Sequence, residues 1–134
     1  MQITPTVRTL IEAATAKALA TYGAGSVNVV PVSMVKVTES SIWLFDFFMD
    51  KTATNVQANP HCALTAWTEM RGVQIKGDAS YHTSGSVFEE AVDWVATQNP
   101  QRVVKGLLII TPIEVYDISP GGLYSNEELQ GSTD

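Results

Sequence analysis

The chain has 134 residues, of which 45% are hydrophobic, and this suits one compact domain with a buried core. Its formal net charge is −6 and its eight lysines and arginines are scattered, which argues against nucleic acid or an anionic membrane as a partner. A single cysteine, Cys62, excludes an intrachain disulfide, and no apolar run approaches the roughly 20 residues of a transmembrane helix. Because the N-terminus lacks a basic start followed by an apolar stretch, we expect no signal peptide and a cytoplasmic protein.

The first element predicted along the chain is a helix. Thr4 suits its N-cap, Pro5 suits the first helical position, and apolar residues follow at helical spacing. The alanine-rich segment that comes next also suits a helix by propensity. The residues alone therefore do not decide where this helix ends.

Runs of β-branched and aromatic residues then predict strands over 27–37 and 41–48. The polar Thr38-Glu39-Ser40 between them indicates a hairpin. Pro31 has no N–H to donate to a ladder, so it predicts an edge strand or a bulge. Along the second run, alternating aromatic residues form one strongly apolar face, and core packing explains any one of these rings better than ligand stacking does.

The segment 47–60 follows this aromatic run and indicates a phosphate site. The chain breaks into Asp50-Lys51-Thr52 and a short helix that ends at Asn59-Pro60. The first amides of a helix have no intrahelical partner and carry partial positive charge, so a phosphate there would meet backbone donors, an ammonium and a hydroxyl together. The alternative is a connector helix that Asp50 caps and whose Lys51 is merely solvated.

The second half of the chain continues with strands and one more helix. Gly77 is a candidate bulge within its strand, and Ser86-Val87-Phe88-Glu89 predicts a capping box at the start of a helix that runs to Asn99-Pro100. We expect one domain over 1–118 and a polar, partly mobile tail over 119–134. Five or six strands with helices at the margins predict a small antiparallel barrel. The predicted strands of this half are 61–68, 72–82 and 107–118.

No set of catalytic side chains is evident in the sequence. His61 and His82 have no partners at metal-ligand spacing, so we expect no metal site. Cys62 lies in an apolar strand, where a buried and inert thiol is expected. Nucleophile-elbow, Walker and dinucleotide-binding motifs are absent from the sequence. Any redox chemistry would therefore come from a bound cofactor.

Four segments in this order and spacing resemble the pyridoxamine 5′-phosphate oxidase-like family of FMN-binding split barrels. The segments are ALATYGAGSVNVVPVSMVKV, IWLFDFFMDKTATNVQANPHCALTAW, GVQIKGDASYH and LLIITPIEVYDI. The resemblance implies a mainly β fold, a six-stranded antiparallel split β-barrel, in which Lys17 to Tyr22 is a strand that turns at 23–26. It also implies a homodimer with FMN at each of two equivalent interface sites.

The resemblance further implies which residues would form the FMN site. The backbone of 30–33 would border the isoalloxazine, two residues of the aromatic strand would line the other rim of the ring, and the start of the short helix would hold the phosphate and the ribityl end. A tryptophan near the partner's site would contact flavin or fill the dimer core. Trp94 is expected to pack or to lie at the surface, with flavin contact as the lesser alternative. The predicted site residues are Val30, Pro31, Val32, Ser33, Phe45, Asp46, Lys51, Thr52, Asn55 and Trp67.

Three departures from the family pattern argue against pyridoxamine phosphate oxidation itself. An arginine-glutamine pair of the oxidases is Arg71-Gly72 here, Asp50 replaces a basic residue, and the C-terminal tail contains neither tryptophan nor arginine. We therefore expect an FMN-binding flavoprotein, either an oxidoreductase or an electron-transfer protein, whose substrate is unknown. The alternative is a non-catalytic split-barrel module that binds another cofactor, such as a deazaflavin or heme, or none.

Overall fold

The computed structural model describes residues 1–131. Within this range no helix is both long enough and apolar enough to span a membrane. The elements, in chain order, are α1 (Pro5–Ala13), β1 (Ala16–Gly23), β2 (Ser26–Pro31), β3 (Val35–Val37), β4 (Ile42–Asp46), α2 (Asp50–Ala58), β5 (His61–Thr68), β6 (Arg71–His82), α3 (Ser86–Gln98), β7 (Gly106–Asp117) and α4 (Asn126–Gln130).

The strands form one antiparallel sheet in the order β2-β1-β5-β6-β7-β4-β3. This confirms the predicted mainly β class and the split-barrel type. The described residues form seven strands rather than six, because the predicted strand 27–37 is divided after Pro31 into β2 and β3. Pro31 ends an edge strand, as the missing N–H predicts.

The start of α1 lies where local signals predict it, and the first hairpin lies where the family resemblance implies it. Thr4 accepts a hydrogen bond from the Val7 amide and Pro5 begins α1, as predicted. The ambiguous segment is strand β1, and the turn to β2 uses left-handed residues at Ala24 (φ 52°) and Gly25 (φ 74°). Positive φ at two successive turn residues matches the twist of a two-residue hairpin.

Gly77 is the predicted bulge. The register between β6 and β7 shifts between Lys76 and Gly77. A Cβ at Gly77 would lie only 2.4 Å from the Thr111 carbonyl oxygen, so the two strands approach closely because this residue lacks a side chain.

The main core lies inside the curled sheet. Leu19, Leu64 and Ile75 are cross-strand neighbours on β1, β5 and β6, and each is fully buried. Ile11 of α1 and Leu129 of α4 belong to the same cluster. The described part of the C-terminal tail therefore contacts the domain through Leu129. The expected partial mobility of the tail stays a prediction, and residues 132–134 lie outside the described range.

A second cluster lies between α3 and the outer face of β4 and β7. Phe45 and Trp94 stack here, with ring centroids 5.2 Å apart and an interplanar angle of 18°, so Trp94 packs as predicted. The predicted capping box at Ser86 is wrong. Gly85 (φ 96°) is the N-cap of α3, and Ser86 is already the first helical residue, so its side chain does not cap the helix.

Candidate functional site

A cleft of about 660 Å³ lies where the end of β2, the junction of β4 with α2, and the loop 99–105 meet. Its size is that of a small-molecule site, and most of its lining is apolar. The residues that line it are Val30, Pro31, Val32, Ser33, Phe45, Phe47, Phe48, Met49, Gln101, Arg102, Val103 and Lys105.

The predicted ring-binding segment 30–33 forms one wall of this cleft. β2 is an edge strand and ends at Pro31, after which the Val32 amide donates to the Lys17 carbonyl oxygen (2.9 Å) before the chain leaves the sheet. The segment is therefore anchored on one side, while its other side is open to the cleft.

Three aromatic residues form another wall. Phe45 is buried against Trp94, Phe47 is half-buried, and Phe48 is 87% exposed. The exposure rises along the chain because β4 ends at Asp46 and the following residues leave the sheet. An exposed phenylalanine beside a cleft is a surface that an aromatic ligand could cover.

Asp46 organises the junction between β4 and α2 and does not line the cleft. Its Oδ1 accepts a hydrogen bond from the Met49 amide (2.7 Å) and its Oδ2 accepts one from the Tyr81 hydroxyl (2.5 Å). Burial and this hydrogen bond raise the pKa of Tyr81. A Cβ at Gly106 would collide with the Tyr81 ring, so the glycine makes room for the network. Both carboxylate oxygens of Asp46 are thus engaged within the protein.

The predicted phosphate residues of α2 have unequal surroundings. Lys51 is exposed, whereas Thr52 is 1% exposed and its hydroxyl oxygen accepts a hydrogen bond from Asn28 Nδ2 (3.0 Å). Asn55 is buried and donates to Thr21 Oγ1 (3.1 Å). Thr52 and Asn55 therefore tie α2 to the β1–β2 hairpin. Lys51, Thr52 and Asn55 are all absent from the cleft lining, and their predicted contacts with FMN stay predictions.

The N-terminus of α2 borders the cleft through its N-cap. That residue is Met49, not Asp50, and its side chain accepts no hydrogen bond from the first turn. Asp50 instead lies in the first turn, so the interpretation of Asp50 as a side-chain cap is wrong. Met49 lines the cleft, which brings the uncapped first turn to its edge.

Loop 99–105, which no sequence motif singled out, also contributes to the cleft wall. Asn99 shapes this loop: its Oδ1 accepts from the Gln101 amide (3.1 Å) and its carbonyl accepts from the Arg102 amide (3.2 Å). Arg102 and Lys105 thereby enter the cleft wall. The signal was the pair of basic residues in QRVVK, since the whole chain has only eight lysines and arginines.

Trp67 is not among the residues that line the cleft. It is half-buried at the end of β5, opposite Ala16 on β1 and Gly72 on β6. The same outer face carries Ala20 and Val29, and the latter is 65% exposed. Within one chain, Trp67 therefore makes no part of the cleft.

Cys62 and His61 show no sign of catalytic activation. Cys62 is half-buried with its Sγ 3.5 Å from the Gly77 carbonyl oxygen, and burial together with the charge of Asp78 raises its pKa to about 12, as expected for an inert thiol. His61 Nδ1 lies 2.7 Å from Asp78 Oδ1 at the surface. Among residues 1–131 no group of three or more metal-ligating side chains comes together.

Comparison with known proteins shows the family to which this chain belongs. The family model described as pyridoxamine 5′-phosphate oxidase matches residues 3–119. An uncharacterized protein of Methanocaldococcus jannaschii is 31% identical over 101 residues, which cover 72% of this chain and 68% of that protein.

Two solved structures share the fold. HupZ of Group A Streptococcus is 21% identical, with 92% of this chain and 99% of that chain covered and a TM-score of 0.80. An FMN-binding protein of Syntrophomonas wolfei subsp. wolfei is 18% identical, with 90% and 86% covered and a TM-score of 0.74. These likenesses establish the architecture of the chain.

Proposed function

Because the chain belongs to the pyridoxamine 5′-phosphate oxidase family, we propose that it binds FMN in the cleft and acts as a flavin-dependent oxidoreductase or an electron-transfer protein. The observation that carries this proposal is the cleft itself. Its volume is about 660 Å³. One wall is the segment 30–33, another wall is aromatic, and the cleft reaches the start of α2. FMN consists of a planar, largely apolar ring joined to an anionic phosphate. The ring would suit the apolar walls, and the phosphate would suit the start of α2.

The ring would lie along segment 30–33. Residues of an edge strand that ends at Pro31 present backbone groups that no further strand of the described sheet covers. Phe47 and Phe48 would cover the ring from the other side and exclude water from it. Phe45, held by Trp94, would support this aromatic wall.

The phosphate would lie at the N-terminus of α2. The first turn receives no side-chain cap from Met49, so its amides are available to an anion, and the helix dipole favours negative charge there. Lys51 is exposed in the same turn and would add an ammonium. Thr52 is buried, so its contact with the phosphate rests on the resemblance alone.

Bound FMN would supply the transfer of a hydride or of single electrons. The side chains of the cleft are aliphatic, aromatic, amide, hydroxyl or cationic, and none of the lining residues within 1–131 is a carboxylate, a histidine or a cysteine. The protein would therefore bind and orient the cofactor and control access to it, and the redox reaction would belong to the cofactor.

We also propose that two chains form a homodimer through the outer face of β1, β2 and β5. Val27 and Val29 on β2 are 77% and 65% exposed, and Ala20 and Ala63 lie beside them across the strands. A smooth apolar sheet face of this kind is typical of an interface. Trp67, at the end of β5, would then lie at the interface with the partner chain. Sedimentation equilibrium tests this: a monomer at micromolar concentration that still binds FMN would exclude a shared site.

A second candidate function has a specific observation in its favour. The Thr52 side chain is buried and does not line the cleft, which separates it from the phosphate-binding role that the resemblance implies. The chain could then be a non-catalytic module of the same fold that binds a deazaflavin or heme, or no cofactor.

One measurement separates these functions. The protein is purified, its visible spectrum is recorded, and the small molecule released on denaturation is identified by mass spectrometry. Oxidised flavin bands and the mass of FMN support the proposed function. A Soret band, a deazaflavin mass, or a colourless protein that ignores added FMN would contradict it.

A further inference from the structure

Loop 99–105 brings two cationic side chains into the wall of the cleft. Arg102 and Lys105 both line it, and within residues 1–131 no acidic residue does. The chain as a whole carries a formal net charge of −6. A concave wall that has only positive charge, on a chain with net negative charge, attracts small anions to that place and not to the surface at large.

Both cations are held in position by neighbours in the cleft. Arg102 Nη1 donates to Ser33 Oγ (3.0 Å), and its guanidinium carbon lies 4.7 Å from the Phe47 ring centroid. The Lys105 ammonium lies 5.3 Å from the Phe48 ring centroid. The ion pairs found within residues 1–131 include neither cation. The charges are thus partly ordered in advance and not neutralised, which lowers the entropy cost of binding an anion.

Resting on the proposed function, we infer that Arg102, with Lys105 near it, recognises an anionic group, a carboxylate or a phosphate, on the substrate that reacts with the flavin. The guanidinium donates a hydrogen bond to Ser33, which belongs to the segment that would border the isoalloxazine. An anion on Arg102 would therefore lie beside the ring, whereas the cofactor phosphate would lie at α2. Guanidinium donors match both oxygens of a carboxylate or phosphate.

The test uses the full-length protein loaded with FMN. Inorganic phosphate and, separately, succinate are titrated at constant ionic strength while the visible flavin spectrum is followed. Arg102→Gln should raise the apparent Kd for both anions about tenfold or more and leave the Kd for FMN unchanged. Arg8→Gln is the matched control, because it removes the same charge from an exposed pair with Glu12 on α1, and it should change neither constant.

Each alternative outcome has a distinct meaning. If Arg102→Gln binds both anions as tightly as the wild type, the inference is wrong. If the variant loses FMN but keeps riboflavin, the guanidinium holds the cofactor phosphate, so the inference is wrong and the proposed function stands.

If the wild-type protein binds no flavin, the proposed function fails instead. The anion site is then examined on the ligand-free protein, by following the amide resonances of 99–105 during a phosphate titration. Shifts that Arg102→Gln abolishes would support the anion site by itself. Shifts that the variant retains would overturn it.

Discussion

Replacing Lys51 with alanine should weaken the binding of FMN far more than that of riboflavin. The ammonium at the first turn of α2 would contact the 5′-phosphate, which riboflavin lacks, and the ring contacts of segment 30–33 would be unchanged. A hydrogen bond to a charged group contributes about 1.5–3 kcal/mol, which corresponds to roughly ten- to hundredfold in Kd. Because Lys51 is exposed, solvent screening places the expected loss at the lower end, about tenfold.

The assay is a titration of both flavins into wild type and variant, followed by quenching of flavin fluorescence. Arg8→Ala is a suitable control, since it removes one positive charge on α1 away from the cleft. Lys36 is a poor control, because its ammonium lies 4.7 Å from the Trp43 ring centroid and its loss would disturb packing. Equal affinity of Lys51→Ala and wild type for FMN, or an equal loss of both flavins, would refute the phosphate assignment.

Three further predictions concern the stability of the fold, each measured by denaturant unfolding. Although burial opposes it, hydrogen bonds from the backbone amides of a following turn and from a serine hydroxyl hold the pKa of Asp117 at about 2, below its ordinary 3.8. This contribution to the free energy of unfolding is complete above about pH 4 and is lost as the pH falls towards 2. The free energy of unfolding of Asp117→Asn should therefore fall less than that of the wild type between pH 4 and pH 2. Gly77→Ala should lower the free energy of unfolding by about 1–3 kcal/mol, since the alanine Cβ would lie 2.4 Å from the Thr111 carbonyl oxygen. An unchanged denaturation midpoint would show that β6 and β7 can separate there freely. Tyr81→Phe removes one donor to the buried Asp46 carboxylate and should lower the free energy of unfolding by about 1.5–3 kcal/mol; an unchanged value would show that the Met49 amide alone satisfies this carboxylate.

Much of the fold was predictable because its signals are local. The Thr4-Pro5 start of α1, the edge-strand position of Pro31 and the bulge at Gly77 each depend on the backbone chemistry of one or two residues. The side-chain cap predicted at Ser86 and the alternative cap at Asp50 are wrong for the opposite reason, although both helices begin at these residues. In each helix the preceding residue, Gly85 or Met49, is the N-cap in the folded chain. The backbone dihedral angles decide this, and the side-chain types do not determine those angles.

The candidate site divides in the same way. From the sequence by itself came the prediction of a phosphate at the start of α2, because helix N-termini expose backbone amides wherever they occur, and the family resemblance added segment 30–33 as the predicted border of the ring. Only the tertiary structure decided that the hydroxyl of Thr52 faces Asn28 and not the cleft, and that loop 99–105 carries Arg102 to Ser33. Those contacts join residues 24 and 69 positions apart, and the packing of separate elements, which no local pattern encodes, brings them together.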